Sequence, residues 1–587
     1  MDNQILEKGE IMRFNIVGQG NDKNEFDGIL YCAQRIEEML MMYTSHLYKT
    51  PVYNSFLLCY EFFDVYNTVE KMSVDKTHLK NIVEEFIVTF ESDIVIKENF
   101  SAEKIQYFKN RLASSSIFDQ QRTMHYLFHV MGDYPYWCVE TLRKAVDENK
   151  GKRRIEKSVR SYIPMIIGLG YHHHFIFNTC KHIFAQPNIN YSEAIEEFIA
   201  TFNGGEYEYT VYFTVNEIVG KFRKILEERL NISFDQNDFS KQLCHDGKRQ
   251  ICVHISENAI DPYAAARKAY AAFDLFMRYY RFLGNRDEKW LGKKCLVVDS
   301  SGDYIHTHIG SERYFYSKDY DDQTLGRNSE RIITQLINNA GRNDFFKIEK
   351  VIHAHNTALS SRDINSAFLN LWSVMEIIGV DGFDADASKI KKIIINVIPV
   401  LKRNYVKHIF EELHNYLKCN LDSAQYNELI TSITEDGSDL YKIACLVSLE
   451  KYNDTRKKAC DFLRDYPLIR SRISQLHEDV FKKKKKIIAE LNRYEQRLTW
   501  HIQRLYRVRN AIIHSGERGD NMVSLVEHLH SYVDELIFDM IDRVTQSQSL
   551  GSVANVLLDA QVFLEGINNT FASDEVLSAN DIKLLLG

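Results

Sequence analysis

Proline is scarce in this chain, seven in 587 residues, so little interrupts a helical hydrogen-bond ladder and a mostly α protein with long helices is predicted. Cysteine is present but never paired: the ten thiols run singly from Cys32 to Cys460 without a CxxC. That argues against a disulfide framework or a four-cysteine zinc site and for thiols buried in a reducing cytosol. No GxxxxGK[ST] loop, no GxGxxG after a strand and no GxSxG elbow occurs, so ATPase, dehydrogenase and serine-hydrolase readings lack their motifs. No uninterrupted apolar run reaches the roughly 18 residues of a membrane span. The nearest, SYIPMIIGLGYHHHFIF at 161–177, is broken by Pro164, two glycines and three histidines. The opening MDNQILEKGEIMRF has neither the basic region nor the apolar core of a signal peptide. The expectation is a cytoplasmic protein that makes no use of a membrane.

What is present is ordinary globular material, 45% hydrophobic and 26% charged, at a length that suggests two to four domains. The formal net charge is −8, yet residues 451–518 carry 18 Lys and Arg against 8 Asp and Glu. An acidic bulk with one basic stretch suggests a localised contact with a polyanion. Within it lie five consecutive lysines, Lys482, Lys483, Lys484, Lys485 and Lys486, which could form a solvated helix face or guide RNA.

Periodicity divides the chain. Residues 1–204 read as helices, as in YCAQRIEEMLMMYTSHLY and HLKNIVEEFIVTF, with apolar residues at i, i+3 and i+4 and a sensing or regulatory role expected. Over 205–345 the period changes to two in EYEYTVYFTV, RQICVHISEN and KKCLVVDS, interrupted by a helix for which Asp261 is the cap, Pro262 the first turn and Gly284 the stop. This is a small mixed α/β domain, whose Tyr and Phe at helical spacing read as core. Helices return over 346–545, and 546–587 reads as a packing arm. The fold class is therefore α+β, predominantly α-helical.

The chemistry concentrates in RLYRVRNAIIHSG at 504–516. On a helix, Arg509 and His514 are five residues apart, about 500° of rotation, so roughly 140° separates them around the axis. Asn510 and His514 share a face, and Arg504 and Arg507 stack on another. The helix is expected to end at Ser515 and Gly516, which would let the imidazole be redirected. An imidazole and a guanidinium at one helix end suit phosphodiester cleavage. Histidine can move the proton of a 2′-OH near neutrality, and arginine supplies a permanent bidentate charge for the phosphate. One histidine is short of the two proton-transfer groups that this reaction uses, which a homodimer would supply.

RNAIIHSG, with Arg509, Asn510 and His514 in an R-N-x3-H arrangement, resembles the R-x4–6-H motif of HEPN-superfamily ribonucleases. LNLWSVMEIIG upstream looks like the first helix of that bundle, and the layout over about 360–545 is similar to the ApeA-like branch of bacterial anti-phage abortive-infection proteins. The resemblance implies a HEPN-like helical bundle that dimerises, so that two motifs form one metal-independent RNase site using no cofactor. It implies His514 as the proton-transfer group, Arg509 as the phosphate-binding cation and Asn510 as the residue orienting them. It also implies an antiviral toxin acting on RNA, tRNA among the candidates, and answering to a phage-derived trigger or regulatory partner. Lys482–Lys486, Arg504 and Arg507 would contact the RNA. Glu376, set between apolar neighbours in SVMEIIG, is costly to bury unpaired. It is expected either in a structural salt bridge or positioning Arg509 or His514.

A second R-N-x3-H, from Arg403 to His408, lies inside the continuous amphipathic helix KKIIINVIPVLKRNYVKHIFEELHNYL and is read as a surface decoy. His125 with His129, the 172–174 histidines with His182, and Cys244, His245, Cys252 and His254 could each approach a metal. None matches a known ligand spacing, so no metal is expected. The alternative to an RNase is a HEPN-like module that binds RNA or a nucleotide without cleaving it.

Overall fold

The computed structural model describes residues 13–18, 27–41, 44–72, 77–114, 116–149, 151–187, 189–234, 238–243, 250–284, 291–308, 322–361, 363–380, 388–515, 521–546 and 552–586. The fold is predominantly α-helical, with a small antiparallel sheet. Two compact units result, and their composition departs from the order of the chain. Residues 1–164, 184–191 and 315–587 form one, and 165–183 with 192–314 form the other. The N-terminal helices thus share a unit with the C-terminal ones instead of standing as a domain of 1–204. The sheet unit draws in helical residues that precede 205 and ends before 345. No described helix is long and apolar enough to cross a membrane.

The sheet has the order β2-β1-β3-β4, with β1 (Tyr207–Asn216), β2 (Gln250–Ala259), β3 (Leu291–Asp299) and β4 (Tyr304–His308) all antiparallel to their neighbours. Alternation sends Val211, Phe213 and Val215 of the central strand β1 to one face. There they meet Ala265, Ala269, Phe273 and Met277 of the helix Pro262–Gly284. Tyr212, Cys252, Leu296 and Val298 point the other way, under Phe239 and Leu243. Because both faces are covered, VYFTV is apolar nearly throughout. Asp261 caps the helix as expected, accepting from the Ala264 amide at 2.7 Å.

In the helical unit seven helices position the candidate site: α1 (Ser55–Met72), α2 (Thr77–Ser92), α3 (Arg342–Ser360), α4 (Ile364–Gly379), α5 (Lys389–Asn420), α6 (Lys484–Ser515) and α7 (Met522–Gln546). Helix α4 starts at Asp363, whose carboxylate accepts from the Ser366 amide at 2.9 Å, and buries Leu371, Trp372, Met375 and Ile378. It packs on α3, α5, α6 and α7. Its last residue, Gly379, has a structural reason: a Cβ there would lie 3.0 Å from the Ile393 Cα of α5. Asn396 of α5 closes the same end by donating to the Gly379 carbonyl at 2.8 Å. Helix α6 buries Ile487, Leu491, Tyr494, Leu498, Ile502 and Leu505, a stripe of three- and four-residue steps that accounts for its length. The tail forms the helices Val553–Thr570 and Ala579–Leu586, which pack on α5 and on the helix Asp439–Ser448 respectively.

Candidate functional site

Helices α4 and α6 bring Glu376 and Arg509 together. The Glu376 Oε1 lies 3.5 Å from Arg509 Nη2 and accepts from the Trp372 indole N–H at 2.9 Å. Trp372 is buried, and its ring sits 5.9 Å from that of Tyr506. The carboxylate is therefore held from below by an indole one turn earlier on its own helix. Arg509 also donates to the Asn510 side-chain oxygen at 3.1 Å. Both Glu376 and Arg509 keep 24% of their side-chain surface, so the pair is open on one side. Of the roles expected for Glu376, an ion pair and contact with Arg509 prove to be the same contact.

His514 is exposed in the last turn of α6. The helix continues through Ser515, so the imidazole stays on the helical screw and is not redirected before that residue. The roughly 140° between Arg509 and His514 therefore stands. Residues 516–520, on which the loop expectation falls, lie outside the described residues.

Arg504 and Arg507 correct the sequence reading. Instead of facing RNA they are buried, 3% and 9% exposed, against α1 and α2. Arg504 grips Glu61 with two parallel bonds, Nε to Oε1 at 3.0 Å and Nη2 to Oε2 at 2.9 Å, and reaches Glu85 at 2.6 Å. Arg507 donates to the same Glu61 at 2.6 Å, and the Arg504 guanidinium lies over the Tyr53 ring at 4.7 Å. Burial alone would raise the Glu61 carboxyl, but Arg504 and Arg507 hold it down to about 2. Burial and the Glu61 charge beside it push the Glu85 carboxyl up, against the pull of Arg504 and, more weakly, Arg507. These arginines anchor α6 to the N-terminal helices.

The lysine run is largely engaged within the chain. Lys482 pairs with Glu478 at 2.8 Å, Lys485 with Asp574 at 2.8 Å, and Lys486 donates to the Glu478 carbonyl. Lys484, 13% exposed at the side chain, holds Glu575 at 3.3 Å and Asp581 at 3.4 Å. Lys482, Lys483 and Lys485 keep enough exposed surface to reach a phosphate.

The second motif copy sits where a structural role predicts, though it is not at the surface. The Arg403 side chain is 2% exposed and clamped between Asp539 and Asp559. His408, lowered to about 4 by burial and by the neighbouring Lys407, faces Glu411 and Glu535.

Among the described residues, none of the histidines and cysteines singled out in the sequence joins a group of three or more converging ligands. His172 stacks on His174 and Tyr263, His125 meets the edge of Phe63, and Cys244 and His245 lie outside the described residues. A different group does converge: His355 of α3 with His530 and Asp534 of α7. Its signal in the sequence is the i, i+4 pair in HSYVD, but the third member is 175 residues away from His530.

No family model, curated protein or solved structure matches the chain.

Proposed function

We propose that this chain is a metal-independent endoribonuclease whose site lies at the C-terminal end of α6, within a HEPN-like region over 346–545. The observation that carries the reading is the Trp372–Glu376–Arg509 array together with an exposed His514 five residues further along α6. An arginine whose charge is oriented by a carboxylate and left open on one side is suited to receive a phosphate. An exposed imidazole one turn on can move a proton between a ribose hydroxyl and a departing 5′-oxygen. Since Arg509 and His514 point apart around α6, one copy does not surround a phosphodiester. Two copies in a homodimer would place one His514 as base, the other as acid, and Arg509 on the non-bridging oxygens as charge develops in the phosphorane. Asn510 bonds Arg509 and lies on the His514 face, and is assigned to orient the two. Lys482, Lys483 and Lys485 are retained as RNA contacts. In the cell such an enzyme would act as a toxic effector of anti-phage defence, released by a trigger.

The test is incubation of the full chain with bulk tRNA, with and without EDTA, followed by detection of 2′,3′-cyclic phosphate ends. His514→Ala should lower the cleavage rate by about 100-fold or more. It should leave the melting temperature near wild type, because the ring is exposed. Arg509→Lys should also be impaired, since a point charge does not reproduce the planar fork. A fully active His514→Ala protein ends the assignment. RNA binding without cyclic-phosphate ends makes the chain a binding module.

A further inference from the structure

The convergence of His355, His530 and Asp534 is independent of the RNase reading and joins different residues. His355 Nε2 lies 3.2 Å from His530 Nε2 and 2.9 Å from Asp534 Oδ1, and His530 Nε2 lies 3.5 Å from the same oxygen. The two rings are nearly parallel, 15° between planes with centroids 5.2 Å apart, so both edges face one carboxylate oxygen. Side-chain exposures of 17%, 10% and 28% show that the three groups are largely covered, Asp534 the least.

The three separations have a chemical meaning. A tetrahedral zinc ion with bonds of about 2.0–2.1 Å sets its ligand atoms about 3.3 Å apart. The observed 2.9, 3.2 and 3.5 Å straddle that spacing. A neutral imidazole has a single N–H, so the proton on His355 Nε2 goes to Asp534 or to His530. The contact between His530 Nε2 and Asp534, at 3.5 Å, exceeds a good N–H···O bond. One cation in the middle would use all three lone pairs at once. Two imidazoles and a carboxylate suit a divalent transition metal and favour zinc over the harder Mg2+ and Ca2+, which prefer all-oxygen sets.

We propose that His355, His530 and Asp534 form a binding site for a divalent transition-metal ion, zinc by its donor set, with water completing the coordination. The ion would clip α3 to α7, the helix that follows the 509–514 segment, so its effect is on the rigidity of the bundle and not on the RNA chemistry.

The experiment uses the full-length protein stripped with chelator and dialysed. Titration with Zn2+ alone, followed by calorimetry and metal analysis, should show one ion per chain from this site. Co2+ in its place should develop the intense visible bands of a four-coordinate complex. Asp534→Asn, which keeps size and one acceptor oxygen but removes the charge, should weaken zinc binding by roughly 10-fold or more, and His530→Ala should remove the cobalt bands. Zinc should raise the melting temperature of wild type and not of Asp534→Asn. The proposal is overturned if the wild type takes up no zinc at micromolar free metal. It is equally overturned if Asp534→Asn, shown folded by circular dichroism, binds zinc and gains stability as wild type does.

Discussion

Glu61→Gln tests whether the basic end of α6 serves RNA or the fold. Glu61 is 8% exposed at the side chain and accepts from Arg504 twice and from Arg507 once. Its carboxyl falls from 4.5 to about 2. That difference corresponds to about 3 kcal/mol of stability at neutral pH. Breaking a buried pair from one side costs about 3–5 kcal/mol, which agrees. Glu85 stays 2.6 Å from Arg504 and inherits it, recovering part of the loss. The expected cost is therefore about 2–3 kcal/mol, or a fall of about 2–3 °C in the transition of this unit at its size. Because the folded carboxyl lies below its unfolded value, the contribution is complete above about pH 4.5 and disappears as pH falls toward 2. Wild type and Glu61→Gln should thus differ by a constant amount from pH 7 to 5 and converge below. Melting followed by circular dichroism across that range, with RNA binding at several salt concentrations, is the assay. Unchanged melting together with tighter, more salt-dependent RNA binding would show that Glu61 merely masks two RNA-binding arginines, and would refute the anchoring role.

Arg403→Ala should destabilise by about 3–5 kcal/mol, because Asp539 and Asp559 lose a buried cation, and cleavage should follow the folded fraction. His408→Ala should cleave as wild type does, and a folded but inactive His408→Ala would move the catalytic motif to this copy. Lys482→Gln, Lys483→Gln and Lys485→Gln combined should lower the salt slope of RNA binding by about 0.7 for each phosphate left without its lysine, with cleavage at saturating RNA retained. An unchanged slope assigns the run to holding Glu478 and Asp574.

The predominance of helix, the end of α6 near Ser515, the cap at Asp261 and the strands of the small sheet are legible because each depends on residues within a few turns of one another. Spacing alone shows which face of a helix is apolar, and a short side chain before Pro262 is enough to start one. Spacing does not show what a charged face meets. Arg504 and Arg507 read as cations available to RNA, and only the approach of α1 and α2, whose Glu61 lies 443 residues from Arg504, buries them. Arg403 likewise reads as a surface cation, and it is Asp539 and Asp559, more than 130 residues further on, that close over it. Grouping by sequence order fails for the same reason, since the N-terminal helices complete the C-terminal unit and His355 finds its partners on α7. Local propensity determines the elements of this protein, whereas burial and desolvation, which sum contributions from distant segments, decide whether a charge becomes an anchor, a ligand or part of a site.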